Sequence, residues 1–257
     1  MKIVAVVSAK GGVGKTTVCA NLSAALGLRG HPVLAVDLDP QNGLRFHMGL
    51  GTEAAQGIAA ATLARKNWRE VCVQGPPGVS VAPFGPMDEN LRVAFEQLLA
   101  NDPTAIRRQL SYIGLPADTI VMLDTPPGAS TYMRQALTCA DMVLVTTLTD
   151  AASYATLPTM HELIHHYCGG TGNFLGYAYV LNQVDRSREL SRDITEMMRA
   201  DLGDRIAGII HQDQSVAEAL AFNRNVLEYD EHCRATHDFI QCAAWVGAQL
   251  QSQVTVS

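Results

Sequence analysis

Ala9-Lys10-Gly11-Gly12-Val13-Gly14-Lys15-Thr16-Thr17 decides how this chain is read. It follows an apolar run, Ile3-Val4-Ala5-Val6-Val7, and precedes residues 16–29, whose pattern is helical. Strand, glycine-rich loop and helix in that order are the context a phosphate-binding loop requires. Glycines let consecutive backbone N–H groups turn inward onto phosphate oxygens, and the helix N-terminus adds partial positive charge. Lys10, Gly11, Gly12, Val13, Gly14, Lys15, Thr16 and Thr17 are therefore the expected nucleotide-binding stretch. Lys15 is placed to reach the β- and γ-phosphates, and the Thr16 hydroxyl to ligate Mg²⁺. Ala9 replaces the usual leading glycine, and a second lysine, Lys10, stands beside it. Lysine is scarce here, four in 257 residues. Roughly 10⁻⁷ chance matches to residues 10–17 are expected at this composition, which sets coincidence aside.

Outward from this loop, apolar β-rich runs at 3–8, 33–37, 79–83, 119–124, 142–148, 174–182 and 206–210 alternate with helical patterns. The helical stretches are 16–29, 87–100, 131–140, 152–166, 189–201, 216–223 and 232–251. Continuous apolar strands of this length suit a parallel sheet buried on both faces. Their alternation with helices implies βαβ units, with helices on both sides of the sheet. Gly75-Pro76-Pro77-Gly78 interrupts the pattern without a lasting change of composition, so it reads as a loop and not a linker. The expectation is an α/β fold forming one domain over residues 1–257.

Two acidic segments close strands. Asp37-Leu38-Asp39-Pro40-Gln41 follows the second run, and Asp124-Thr125-Pro126-Pro127-Gly128 follows the fourth. Ligands of open α/β sheets bind at the C-terminal edge of the strands, where both segments lie. Asp124, after four apolar residues, suits a Mg²⁺ ligand acting through water, and Gly128 offers a backbone N–H to a γ-phosphate. The plainer role of such aspartates is a cap or a turn. The phosphate loop weighs against it.

KGGVGKTT at 10–17, DLDPQ at 37–41 and DTPPG at 124–128 resemble, in this order, the deviant Walker ATPases of the ParA/MinD group. The resemblance covers essentially the whole chain. It implies a P-loop NTPase with a mostly parallel sheet of seven or eight strands, binding ATP and Mg²⁺ and forming an ATP-dependent sandwich homodimer. By position, Lys10 would be the signature lysine that reaches the partner's nucleotide, and Lys15 and Thr16 would hold phosphates and Mg²⁺. Asp39 would orient the attacking water, which makes Lys10, Lys15 and Asp39 the catalytic set, with Asp37 and Asp124 near the metal. Asn182 matches the adenine-reading position, and Asp213 the second adenine-side contact. His211 stands where the family often has proline. The segments around Asp39-Pro40 and Asp124 to Gly128 would be the moving switches.

Within the group, 124–132 (DTPPGASTY), 147–154 (TLTDAASY), 181–188 (LNQVDRSR) and 211–237 are similar to the ATPases encoded in bacterial cellulose-synthase operons, the BcsQ type. This implies work at the cytoplasmic face of the cellulose secretion machinery, assisting its assembly, polar placement or activity, often with a small partner subunit. The intact loop implies competent hydrolysis, with a turnover below about 10 s⁻¹ in the absence of a partner.

Charge and composition narrow the other classes. The net charge is −6, and from residue 186 onward there are seven arginines, no lysine and eleven acidic residues. Non-specific nucleic-acid binding rests on clustered basic charge, so a ParA-type partitioning ATPase is the second reading. No apolar run reaches the length of a membrane span. Residues 232–251 carry no Lys or Arg after Arg234, unlike a basic amphipathic anchor. A cytoplasmic protein is expected, brought to membrane or pole only by partners. The six cysteines form no CxxC pair and read as free thiols. His161-Glu162-Leu163-Ile164-His165 spells the zinc-peptidase pattern HExxH, a reading from another class. About 0.01 such matches arise by chance, far more than for the phosphate loop, so surface histidines on a helix are the plainer account.

Overall fold

Eight runs of the sequence form strands in the computed structural model, which describes residues 1–51, 56–170 and 172–251. They are β1 (Lys2–Val7), β2 (Val33–Asp37), β3 (Val73–Gln74), β4 (Val79–Ala82), β5 (Ile120–Asp124), β6 (Met142–Leu148), β7 (Gly176–Val184) and β8 (Ile206–His211). Together they make one sheet in the order β3-β4-β2-β5-β1-β6-β7-β8. Every pairing is parallel except β3 with β4. The short antiparallel β3 escapes a sequence reading because two residues carry no period.

Between the strands run α1 (Lys15–Leu28), α2 (Leu44–His47), α3 (Ile58–Leu63), α4 (Glu89–Asn101), α5 (Ala105–Tyr112) and α6 (Thr131–Cys139). The second half holds α7 (Ala151–Tyr154), α8 (Leu157–Cys168), α9 (Glu189–Leu202), α10 (Gln214–Ala221), α11 (Val226–Tyr229) and α12 (Arg234–Gln251). Successive strand side chains point to opposite faces. Ile3, Ala5 and Val7 of β1 accordingly join a core with α3 to α6, α8 and α9. Val4 and Val6 join a second core with α1, α10, α11 and α12. The expected fold class holds.

The structure corrects three expectations. The helix expected over 152–166 is two, α7 and α8, broken at Ala155 and Thr156; Pro158 sits in the first turn of the second, where proline is suited. β7 runs on to Val184, past the end expected at residue 182, so Asn182 lies inside the strand. Residues 105–112 are helical although only three of the eight are buried, too thin an apolar stripe to announce itself. The Gly75–Gly78 turn is a loop as expected, and it docks on α1. A Cβ at Gly27 would lie 2.5 Å from the Pro77 carbonyl oxygen. Among the described residues no helix is long and apolar enough to cross a membrane. The six cysteines form no disulfide with one another, and four of them are buried.

Candidate functional site

The glycine-rich loop occupies the gap between β1 and α1, with Gly12 at φ +75° and Gly14 at φ +80°. Both lie in the left-handed region that glycine alone enters freely. The Ser8 hydroxyl donates to the Lys10 carbonyl at 2.8 Å and holds the loop's entry. α1 has no capping side chain and no acidic residue in its first turn. Its first N–H groups therefore remain for an anion, where the helix dipole favours one.

Asp37 and Asp124 close the adjacent strands β2 and β5 and are paired in register. Both are fully buried. Asp37 accepts the N–H groups of Asp39 (2.9 Å) and Leu44 (3.0 Å). Burial, followed by the neighbouring Asp124, still pushes its carboxyl well above the usual range. Neither carboxylate oxygen of Asp124 has a hydrogen-bond partner. Burial pushes Asp124 up to about 6, against the pull of Lys15, whose ammonium lies 4.0 Å away. Two buried carboxylates beside one ammonium leave negative charge uncompensated, which is costly.

A divalent cation would neutralise that charge, and the donors suit Mg²⁺. Mg²⁺ takes one or two carboxylates, with water and substrate phosphates completing its shell. Among the described residues no group of three or more His, Cys, Asp or Glu gathers to hold a metal alone. Thr16, Asp37 and Asp124 with a bound phosphate would meet the requirement.

Asp39 is 8% exposed, and its Oδ1 accepts the Gln41 N–H at 2.9 Å. Asn42, two residues past the half-buried Pro40, is held at φ +52° with a buried, unpartnered Oδ1. The loop after β2 thus turns through the left-handed region within the segment expected to move. The Asp124 to Gly128 segment abuts the phosphate loop, its Pro127 ring 3.7 Å from the Cβ position of Gly11. The Gly128 N–H donates to the Ser8 carbonyl at 3.1 Å.

The two lysines of the loop face different surroundings. Lys15 is 6% exposed and faces the acidic pair. Lys10 reaches instead to the start of α7, 3.6 Å from Asp150 Oδ1 and 3.5 Å from Ser153 Oγ. Asp150 also caps α7, accepting the Ser153 N–H at 2.7 Å. The sequence signal for it was the Asp before Ala151-Ala152-Ser153, a cap pattern.

A cavity of about 320 Å³ opens beside Thr17, lined among others by His47, Asn182, His211, Asp213 and Leu220. Asn182 Nδ2 donates to the Val13 carbonyl at 2.8 Å, tying β7 to the phosphate loop. Asp213 accepts N–H groups from Ser215 (3.0 Å) and Ala235 (3.1 Å). Burial opposes ionisation there, yet these bonds bring its carboxyl below the usual range. Both expected adenine-side residues therefore stand at one cavity, each with a structural duty as well. His211 is fixed by α12: Nδ1 lies 2.8 Å from Asp238 and Nε2 3.4 Å from Arg234. His47 had no sequence signal, being a lone histidine on a helix of one turn.

The HExxH histidines are exposed on α8. His161 Nε2 lies 3.3 Å from the Arg205 guanidinium, a cation where zinc would bind. The surface-helix account holds.

Comparisons with known proteins agree with this geometry. Residues 1–246 match the family described as cellulose biosynthesis protein BcsQ. The chain is 28% identical over 253 residues to the chromosome partitioning protein ParA of Caulobacter vibrioides, covering 95% of this chain and 92% of that one. It is 26% identical over 247 residues to the cellulose biosynthesis protein BcsQ of Escherichia coli, covering 95% and 94%. In fold it is similar to the septum site-determining protein MinD of Pyrococcus horikoshii, solved with Mg-ADP. That likeness has a TM-score of 0.78 at 20% identity over 99% and 97% of the two chains. With its uncapped helix behind a two-lysine phosphate loop and its acidic strand ends, the chain is a P-loop ATPase of the ParA/MinD type and belongs to the BcsQ family.

Proposed function

We propose that this ATPase is a Mg²⁺-dependent dimeric switch that assists the assembly, localisation or activity of a bacterial cellulose secretion complex. The observation that carries the switch is the division of labour between its lysines. Lys15 is buried against Asp124, whereas Lys10 stands at the surface beside Asp150. One nucleotide is served by Lys15 and the N–H groups of α1, which leaves Lys10 to neutralise phosphate charge on a second copy. The cellulose role is supported by the family match over residues 1–246 and by the named relative in E. coli.

A bound Mg²⁺ would offset the negative charge that develops on the phosphate oxygens. The chain's own residues do the rest. Lys15 and the loop amides hold the phosphates; Thr16, Asp37 and Asp124 would hold the cation. Asp39 orients the attacking water, and Asn182 and Asp213 close on the adenine. The Gly128 N–H leaves Ser8 to meet a γ-phosphate, so the second switch reports which nucleotide is present. Hydrolysis is slow, because the lysine that completes charge stabilisation arrives from the partner.

The test is cellulose output in a producing bacterium deleted for this chain. Wild type restores secretion and Lys15→Ala does not. Normal secretion in the deletion strain would overturn the cellulose role. The similarity to Caulobacter ParA favours a partitioning ATPase as the second reading. DNA retention at low salt would support that reading. The acidic stretch after residue 186 predicts none.

A further inference from the structure

His47 ends α2, the short helix that follows the Asp39 loop. The phosphate-loop reading gives it no task. Its side chain is 5% exposed, and it lines the 320 Å³ cavity together with Thr17, Asn182 and Asp213. Buried polar side chains nearly always have hydrogen-bond partners. Among the described residues none meets either ring nitrogen of His47, and burial alone moves its titration, down to about 4. The second imidazole at this cavity differs, since Asp238 and Arg234 occupy both nitrogens of His211. His47 is the one that faces the space without a protein partner.

The chemistry of the missing partner follows. A neutral imidazole offers one N–H donor and one acceptor. It has no charge to attract a phosphate, and it suits the uncharged hydroxyl and ring-nitrogen groups of a nucleoside. The position also has mechanical consequences. α2 begins at Leu44, whose N–H is held by Asp37, and Asp37 holds the Asp39 N–H as well. Asn42, in the left-handed region, lies between them. A ligand that fixes His47 therefore fixes one end of the segment whose other end carries Asp39.

We propose that His47 hydrogen-bonds the nucleoside half of the bound nucleotide and so ties occupancy of the adenine-side cavity to the Asp39 loop. The proposal rests on the nucleotide reading above. It adds a positioning residue to the site, one that reports base-side occupancy independently of the γ-phosphate.

The experiment titrates Mg·ADP and Mg·pyrophosphate into the full chain as wild type, His47→Ala and His47→Gln. Hydrogen exchange of residues 38–47 is followed in each complex at saturation. Losing one neutral hydrogen bond predicts about fivefold weaker ADP binding by His47→Ala. Pyrophosphate affinity stays unchanged, and His47→Gln recovers part of the loss. In wild type, ADP protects residues 38–47 beyond the level given by pyrophosphate; in His47→Ala the two ligands protect equally. The proposal is overturned if His47→Ala binds ADP and protects the loop as wild type does. It is also overturned if both ligands weaken together, which marks a structural role only. Failure of wild type to bind Mg·ADP would overturn the nucleotide reading itself, and this inference with it.

Discussion

Gly14 shows how narrowly single positions are specified. Its φ is +80°, and a Cβ there would lie 2.4 Å from Asn182 Nδ2. Gly14→Ala combines a left-handed cost of about 1–2 kcal/mol with displacement of the amide that ties β7 to the loop. Thermal unfolding should fall by roughly 5 °C and ADP binding should be lost. A variant that melts and binds like wild type would contradict the geometry. His47 gives a pH signature. Its folded pKa is about 4, below the ordinary value of 6.5, because it is buried. Between those values the unfolded chain binds the extra proton, so stability rises with pH through the window and is lost as pH falls. Urea unfolding at pH 4.5 and 7 should show wild type gaining on the order of 2 kcal/mol more than His47→Gln. Equal gains would place the imidazole in water. At this scale the sequence made Lys10, Lys15, Thr16, Asp37 and Asp124 candidates, because scarce lysines flank a glycine-rich loop and the two aspartates close apolar runs. Asp150 and His47 belong to one-turn helices and meet the site only through folding.

The elements explain why the lysines part company. β2 and β5 bring Asp37 and Asp124 level, α1 starts beneath them, and α7 presents Asp150 to Lys10. Lys15→Ala should abolish ADP binding, whereas Lys10→Ala should bind ADP within about twofold of wild type, as expected of a surface group at its own site. Calorimetry on both variants checks this; equal loss would mean that Lys10 serves its own phosphate loop. The aromatic cluster of Phe84, Phe95 and Tyr132 joins α4 to α6, the helix after the Asp124 to Gly128 segment. Phe95 is fully buried, and Phe95→Ala should cost about 3–5 kcal/mol in urea unfolding. A cost under about 1 kcal/mol would mean the cluster is not packed as described. The central strands were legible because strands buried on both faces read as continuous apolar runs. β3, α5 and the α7–α8 break were not, since two residues have no period, a sparse stripe has no contrast, and a first-turn proline permits helix on its own side.

On the scale of the whole molecule, one sheet carries the proposed ligand residues at its C-terminal edge, and both helical layers serve to hold that edge. The alternation of strands and helices revealed this plan. The proposed second copy did not show in it, because a face that forms around a nucleotide would need no apolar stripe. The account stands on Lys10 acting on a second copy. The most direct measurement is the light-scattering mass of wild type, Asp39→Ala and Lys10→Ala with ADP and with Mg·ATP. Mass should double with Mg·ATP and not with ADP, persist in Asp39→Ala because hydrolysis is blocked, and fail to double in Lys10→Ala. A chain that binds Mg·ATP and stays monomeric in all three, or a Lys10→Ala that dimerises like wild type, would contradict it.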